Sequence, residues 1–154
     1  GLWNLIRFQS QSGDFTHPSL ADRLTFSFNY SRVESETTTQ DGGFVRTRPL
    51  TGQATYSANL GLFYNGDRHG ISLLWRDFGP RLSGLGLGTL EDVYENPPAQ
   101  LDFTWRWYLG RGFTVRFVGQ NLLDRTVLYT QGDVVVRSWD PGRELSLALG
   151  WTLR

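Results

Sequence analysis

Cysteine is absent from the 154 residues, which excludes disulfides and thiolate metal sites. Methionine is absent too, including at position 1, and so is lysine: all fifteen basic residues are arginine, and fifteen acidic residues balance them. A chain of zero formal charge with no basic stretch lacks the electrostatic footprint of a nucleic-acid binder. Nor does any segment approach the run of about 18 apolar residues that a membrane-crossing helix requires. What the chain does have is 18 glycines, six tryptophans, six tyrosines and ten phenylalanines at a mean hydropathy of −0.34. Its apolar character is dispersed, one residue in two.

The last stretch states the pattern most plainly. Leu145, Leu147, Leu149, Trp151 and Leu153 alternate with Glu144, Ser146, Ala148, Gly150 and Thr152. Period two with leucine on one face and small or polar residues on the other predicts a strand between an apolar and a polar medium. The same alternation recurs along the chain. It is poor in Leu2 to Gln9 but regular in Leu24 to Glu36, Leu50 to Asn65, Ile71 to Phe78, Gln100 to Trp107, and Phe113 to Gln120. Seven strands follow.

The connections alternate in length. Asn65-Gly-Asp-Arg68 and Leu109-Gly-Arg-Gly112 read as tight turns, the first through residues that tolerate positive φ. Stretches 37–49, 83–97 and 123–140 read as long polar loops, with Val134 and Val136 able to extend the ladder. Arg76, Arg106 and Arg116 fall on the polar parity, whereas Arg32 and Arg143 fall on the apolar parity at strand ends. Asp77 also has apolar parity, which predicts a bulge or a boundary beside it. Phe63, Tyr64, Trp105, Trp107, Tyr108, Phe113 and Trp151 gather near the short turns, as in an aromatic girdle. The expected fold is therefore all-β: an antiparallel transmembrane β-barrel segment of about seven strands, in meander topology, forming part of a larger barrel. A soluble sandwich is the competing reading, but it has no reason for the aromatic banding.

Arg48-Pro-Leu-Thr-Gly-Gln53, Leu74-Trp-Arg-Asp-Phe-Gly79, Glu95-Asn-Pro-Pro-Ala-Gln-Leu-Asp102, Gln120-Asn-Leu-Leu-Asp124 and Pro141-Gly-Arg143 occur in this order. Together they resemble the C-terminal barrel end of TonB-dependent outer-membrane receptors, from about Leu24 onward. The resemblance implies a barrel of about twenty-two strands around an N-terminal plug, importing siderophores, cobalamin, sugars or peptides with energy relayed by TonB. On this reading residues 1–154 form a C-terminal piece without plug or signal peptide, located in the bacterial outer membrane. Its partners would be outer-membrane lipid, the rest of the barrel, the plug, and TonB indirectly through that plug. The chain ends in Arg154 where such proteins usually end in an aromatic residue. Two alternatives remain: a separate structural chain in a hetero-complex with another outer-membrane protein, or a stand-alone eight-stranded barrel with an extra strand from Leu122 to Asp140.

No catalytic, metal or cofactor site is expected. His17 and His69 read as solvated loop residues, and an enzyme is not expected. The glycines of Gly84-Leu-Gly-Leu-Gly88 lack the Lys-Ser/Thr of a phosphate loop and read as a flexible loop. For ligand or plug contact, the polar face offers Gln53, Arg76, Asp102, Arg106 and Arg116, all equally able to pair across neighbouring strands. The long loops offer Phe44, Tyr94, Tyr129 and Trp139.

Overall fold

A computed structural model describes residues 6–8, 20–41 and 43–153. The strands in chain order are β1 (Ile6–Phe8), β2 (Leu24–Arg32), β3 (Thr37–Asp41), β4 (Phe44–Arg48), β5 (Tyr56–Asn65), β6 (His69–Phe78), β7 (Arg81–Gly84), β8 (Val93–Asn96), β9 (Gln100–Gly110), β10 (Phe113–Gln120), β11 (Val127–Gln131), β12 (Val134–Trp139) and β13 (Glu144–Trp151). The main sheet is a seven-stranded antiparallel meander in the order β1-β2-β5-β6-β9-β10-β13. Among the described residues its edges, β1 and β13, do not pair with each other, and the sheet does not close.

Register follows the alternation. One row runs Leu24, Tyr64, Ile71, Trp105, Phe117, Leu147 across six strands. On the opposite face a row runs Thr25, Phe63, Ser72, Thr104, Val118, Ser146, and another Asn29, Asn59, Arg76, Gln100. Arg76, Arg106 and Arg116 stand on this polar face, as their parity predicts. The aromatic grouping needs correction: Tyr64, Trp105, Trp107, Phe113 and Trp151 share the apolar face, but Phe63 and Tyr108 belong to the other.

Nothing among the described residues covers the apolar face. Among the described residues only Leu82 and Val127 are buried large apolar side chains, and neither belongs to the main sheet. Leu149 is 81% exposed. The chain presents 11502 Å² to its surroundings, against roughly 7,900 Å² for a compact monomer of this mass.

The long connections differ from the loops expected. A second sheet, β12-β11-β8-β7, repeats the order β13-β10-β9-β6 one level higher. Each of its strands continues one strand of the main sheet, so four strands run on past the meander. Proline marks the change of level, because it lacks the N–H that a ladder needs. Pro80 parts β6 from β7, Pro97 and Pro98 part β8 from β9, and Pro141 parts β12 from β13. The segment 122–140 therefore supplies β11 and β12 to the upper sheet and adds no strand to the meander. Above β2 stands a separate hairpin, β3-β4. Leu50 to Thr55, expected as strand, is a turn with Gly52 at φ 79°, apart from a bridge between Ala54 and Arg81.

Local chemistry sets the short turns. Arg111 and Gly112 have φ of 52° and 82°, as a two-residue hairpin turn demands. At Gly66 the reason for glycine differs from the one expected. It does not adopt positive φ, and a Cβ there would meet the far end of the Tyr64 side chain, which would have to shift. Asp77 causes no bulge: it sits near the end of β6 and accepts a hydrogen bond from the Tyr56 hydroxyl at 3.1 Å.

Candidate functional site

At the level of the prolines, four of the motif segments meet. Asp102 on β9 accepts from Arg76 Nη2 at 2.6 Å on one oxygen and from the Asn121 backbone N–H at 2.9 Å on the other. Asn121, at φ 51°, sends its side-chain N–H to the Gly142 carbonyl at 2.7 Å, and Leu122 N–H reaches the Leu101 carbonyl. Arg143 lies 3.4 Å from Asp124. One carboxylate thus ties β6, β9 and the turn after β10, while Asn121 carries the tie on to the approach of β13. Arg76 and Asp102, taken from the sequence as ligand candidates, are partners of each other. Because Arg76 is 43% exposed, the pair adds about 1 kcal/mol at most, and its main effect is positional.

Arg106 and Arg116 are different. They occupy directly opposed positions on β9 and β10, in a row that runs Asn65, Gly70, Arg106, Arg116, Ala148. Both are exposed, and neither has an ion pair among the described residues. Two like charges facing each other on one sheet are mutually destabilising. Of the polar-face candidates, these two alone combine adjacency with unused guanidinium donors. Gln53 is separate from them. It lies in the turn before β5, and its buried Oε1 accepts no hydrogen bond.

The upper sheet is laced by charge. Arg81, Glu95, Tyr129 and Arg137 form one row across its four strands. Arg81 grips Glu95 through two hydrogen bonds of 2.9 and 2.6 Å, and the Arg137 guanidinium lies 5.0 Å from the Tyr129 ring centre. The Arg81 guanidinium holds the Glu95 carboxyl below its ordinary 4.5, with help from Tyr129 and Arg137. Tyr129 is therefore engaged within the sheet. Tyr94 lies between Leu82 and Thr130, Trp139 ends β12 opposite Val127 and is exposed, and Phe44 opens β4 opposite Asp41. Tyr94 and Tyr129 stand on neighbouring strands at adjacent registers, on opposite faces of the upper sheet.

The glycine loop is tied to the rest of the chain at several points. Arg48, 6% exposed, enters it from β4, donating to the Gly86 carbonyl at 3.0 Å and to Thr39 Oγ1 at 2.9 Å. Its Nε lies 2.8 Å from Asp92 Oδ2 as an ion pair, without the alignment of a hydrogen bond. Asp92 in turn accepts the Gly86 N–H at 2.8 Å. A Cβ at Gly86 would lie 2.3 Å from the Glu91 carbonyl, so glycine is required there. Gln131 Nε2 donates to that same carbonyl, which joins the β11–β12 turn to the loop. Sequence reading missed this buried pair, since nothing local to Arg48 points to Asp92. It also placed His69 wrongly among solvated loop residues. His69 opens β6, half-buried, stacks with Trp105 and Trp107 at 5.9 Å each, and accepts from Trp105 Nε1 at 3.2 Å. His17 lies outside the described residues.

Comparison with protein-family models, with curated proteins and with solved structures found no match. The functional reading therefore rests on the chain's own residues and geometry.

Proposed function

We propose that this chain is a wall segment of an outer-membrane β-barrel. Within that class it reads best as the C-terminal part of a TonB-dependent receptor that imports a siderophore, sugar, peptide or similar nutrient. The observation that carries the barrel reading is the uncovered apolar face. Leaving a leucine or phenylalanine in water instead of an apolar environment forgoes about 1.5 to 3 kcal/mol each, and rows of such residues cross the whole sheet. Hydrocarbon on that face and water or polar protein on the other resolves the imbalance.

The charges agree with this. The three mid-strand arginines avoid the apolar face, where one at mid-bilayer would cost about 2 to 4 kcal/mol. Strands that continue past a proline line, topped by a tied glycine loop and a hairpin, suit an extracellular rim. The receptor reading is carried further by the motif order, whose members meet around Asp102 and Asn121.

Fractionation of a Gram-negative host making the exported, full-length gene product tests the barrel reading. The expected result is a product in the outer membrane that resists alkaline carbonate; a monodisperse water-soluble monomer would refute it. The encoding reading frame tests the receptor reading separately. An upstream plug and TonB box support it, and a complete gene starting just before Gly1 with no receptor half nearby sinks it in favour of a separate structural chain.

A further inference from the structure

A cavity of about 600 Å³ opens at the short-turn end of the main sheet, around the β9–β10 turn and the end of β13. Its walls are of two kinds. Phe113 and Trp151, opposed across β10 and β13 on the apolar face, stack with ring centres 5.6 Å apart and planes 8° from parallel. Tyr108 and Thr114 come from the polar face, in a row that ends on Gly150, which adds no side chain. Thr152 N–H donates to the Gly112 carbonyl at 3.0 Å and ties the turn to the strand end. A Cβ at Gly112 would strike the Thr152 carbonyl, so this close approach needs glycine.

The charge in this cavity is Arg111. It is exposed, and it has no ion pair among the described residues. Its backbone is held at φ 52°, whereas the other described non-glycine residues at positive φ are Asn121 and Asp124, types that accept this region readily. Arginine thus occupies a turn position that favours Asn, Asp or Gly, with no partner in the chain to use its charge. The nearest acids by sequence and turn lie elsewhere: Asp67 is held by Arg23 at 2.8 Å, Asp22 precedes β2, and neither lines the cavity.

Resting on the barrel-wall reading above, we infer that this cavity seats the headgroup of one phospholipid, with its phosphodiester on the Arg111 guanidinium and its glycerol and first chain carbons against the Phe113–Trp151 stack. The short turns of outer-membrane barrels face the periplasm, so the cavity lies where the inner leaflet meets water. A guanidinium presents paired donors that match phosphate oxygens, and amphipathic rings settle at that boundary. An unpaired cation beside an apolar wall that continues into hydrocarbon fits an anionic amphiphile better than a free anion, which would leave the ring stack uncovered.

The test adds phosphatidylglycerol to the full-length product in mild detergent and follows retained lipid by native mass spectrometry. The parent is expected to keep one lipid that Arg111→Asn holds about tenfold more weakly. Because asparagine suits the turn, the thermal midpoint of Arg111→Asn should equal or exceed the parent's, which separates lost binding from lost folding. Arg68→Gln, which removes the exposed arginine of the β5–β6 turn, should leave retention unchanged, and glycerol phosphate without chains should not displace the lipid. Retention by Arg111→Asn equal to the parent's, an equal loss in Arg68→Gln, or ready displacement by glycerol phosphate would each overturn the inference. Vesicles of phosphatidylcholine with brominated chains report on the apolar face separately. Quenching of tryptophan in both the parent and Arg111→Asn is expected. With quenching present, unchanged retention in Arg111→Asn overturns the headgroup site alone; no quenching in either protein refutes the barrel-wall reading and the site with it.

Discussion

Arg106 and Arg116 are directly paired across β9 and β10, and neither has an ion-pair partner among the described residues. Opposed like charges on a sheet destabilise it, and an opposite-charge pair contributes about 0.2 to 1 kcal/mol. Arg116→Glu should therefore raise the thermal midpoint of the purified protein, and Arg116→Gln should raise it less. A clear fall in both variants would mean that an anionic group from outside this chain already bridges the two arginines. That outcome would turn the pair from a tolerated strain into a contact site.

The Arg81 and Glu95 pair makes the upper sheet sensitive to acid. Since Glu95 is held below its ordinary 4.5 in the folded chain, its stabilisation is complete above that value and is lost as pH falls through the lower folded one. The hydrogen-exchange protection factor at β8, taken relative to the unfolded-chain rate at each pH, should stay high at neutral pH and fall only well below 4.5. In Arg81→Gln the Glu95 carboxyl loses its main partner, so the protection should lose its acid dependence in that range and be lower already at neutral pH. Identical profiles for the two proteins would contradict the assignment.

Arg48 is a buried charge, and its loop depends on Asp92. Removing one member of such a pair costs on the order of 3 to 5 kcal/mol, whereas replacing both by apolar residues is close to neutral. Asp92→Ala should open residues 84–91 to limited proteolysis, and Arg48→Leu with Asp92→Leu should recover much of the protection. If the double variant is cleaved as fast as the single one, the hydrogen bonds from Arg48 to Gly86 and Thr39 hold the loop, and the ion pair does not.

Six strands of the meander were legible because one face of each is apolar and the other polar, which writes period two into them; the first, over Ile6–Phe8, was read from a stretch with poor alternation. Leu145 to Trp151 needs no distant partner to be read. The upper sheet was hidden for the converse reason. Its row of Arg81, Glu95, Tyr129 and Arg137 mixes charge and ring on one face, so β7, β8, β11 and β12 carry no clean alternation and read as loop. The prolines at 80, 97, 98 and 141 were visible as breaks, but that they lie at one level depends on register. Arg76 and Asp102 could be placed on the polar face by parity alone; their union with Asn121 required the turn at positive φ. His69 was misjudged because its partners, Trp105 and Trp107, come from a strand far along the chain.

The central claim is that the apolar face meets lipid, and the exposed leucines of β13 test it most directly. Leu147→Arg should cost about 2 to 4 kcal/mol and impair assembly, while Ser146→Arg, one residue along and on the other face, should be milder. The deciding measurement is the stability of Leu147→Phe in the assembled, membrane-extracted protein. Hydrocarbon should accept the larger ring with little change, whereas a close-packed protein core should resist it by about 1 to 3 kcal/mol. Near-wild-type stability is the predicted result; marked destabilisation by Leu147→Phe would mean that this face packs against protein and that the membrane assignment of β13 is wrong.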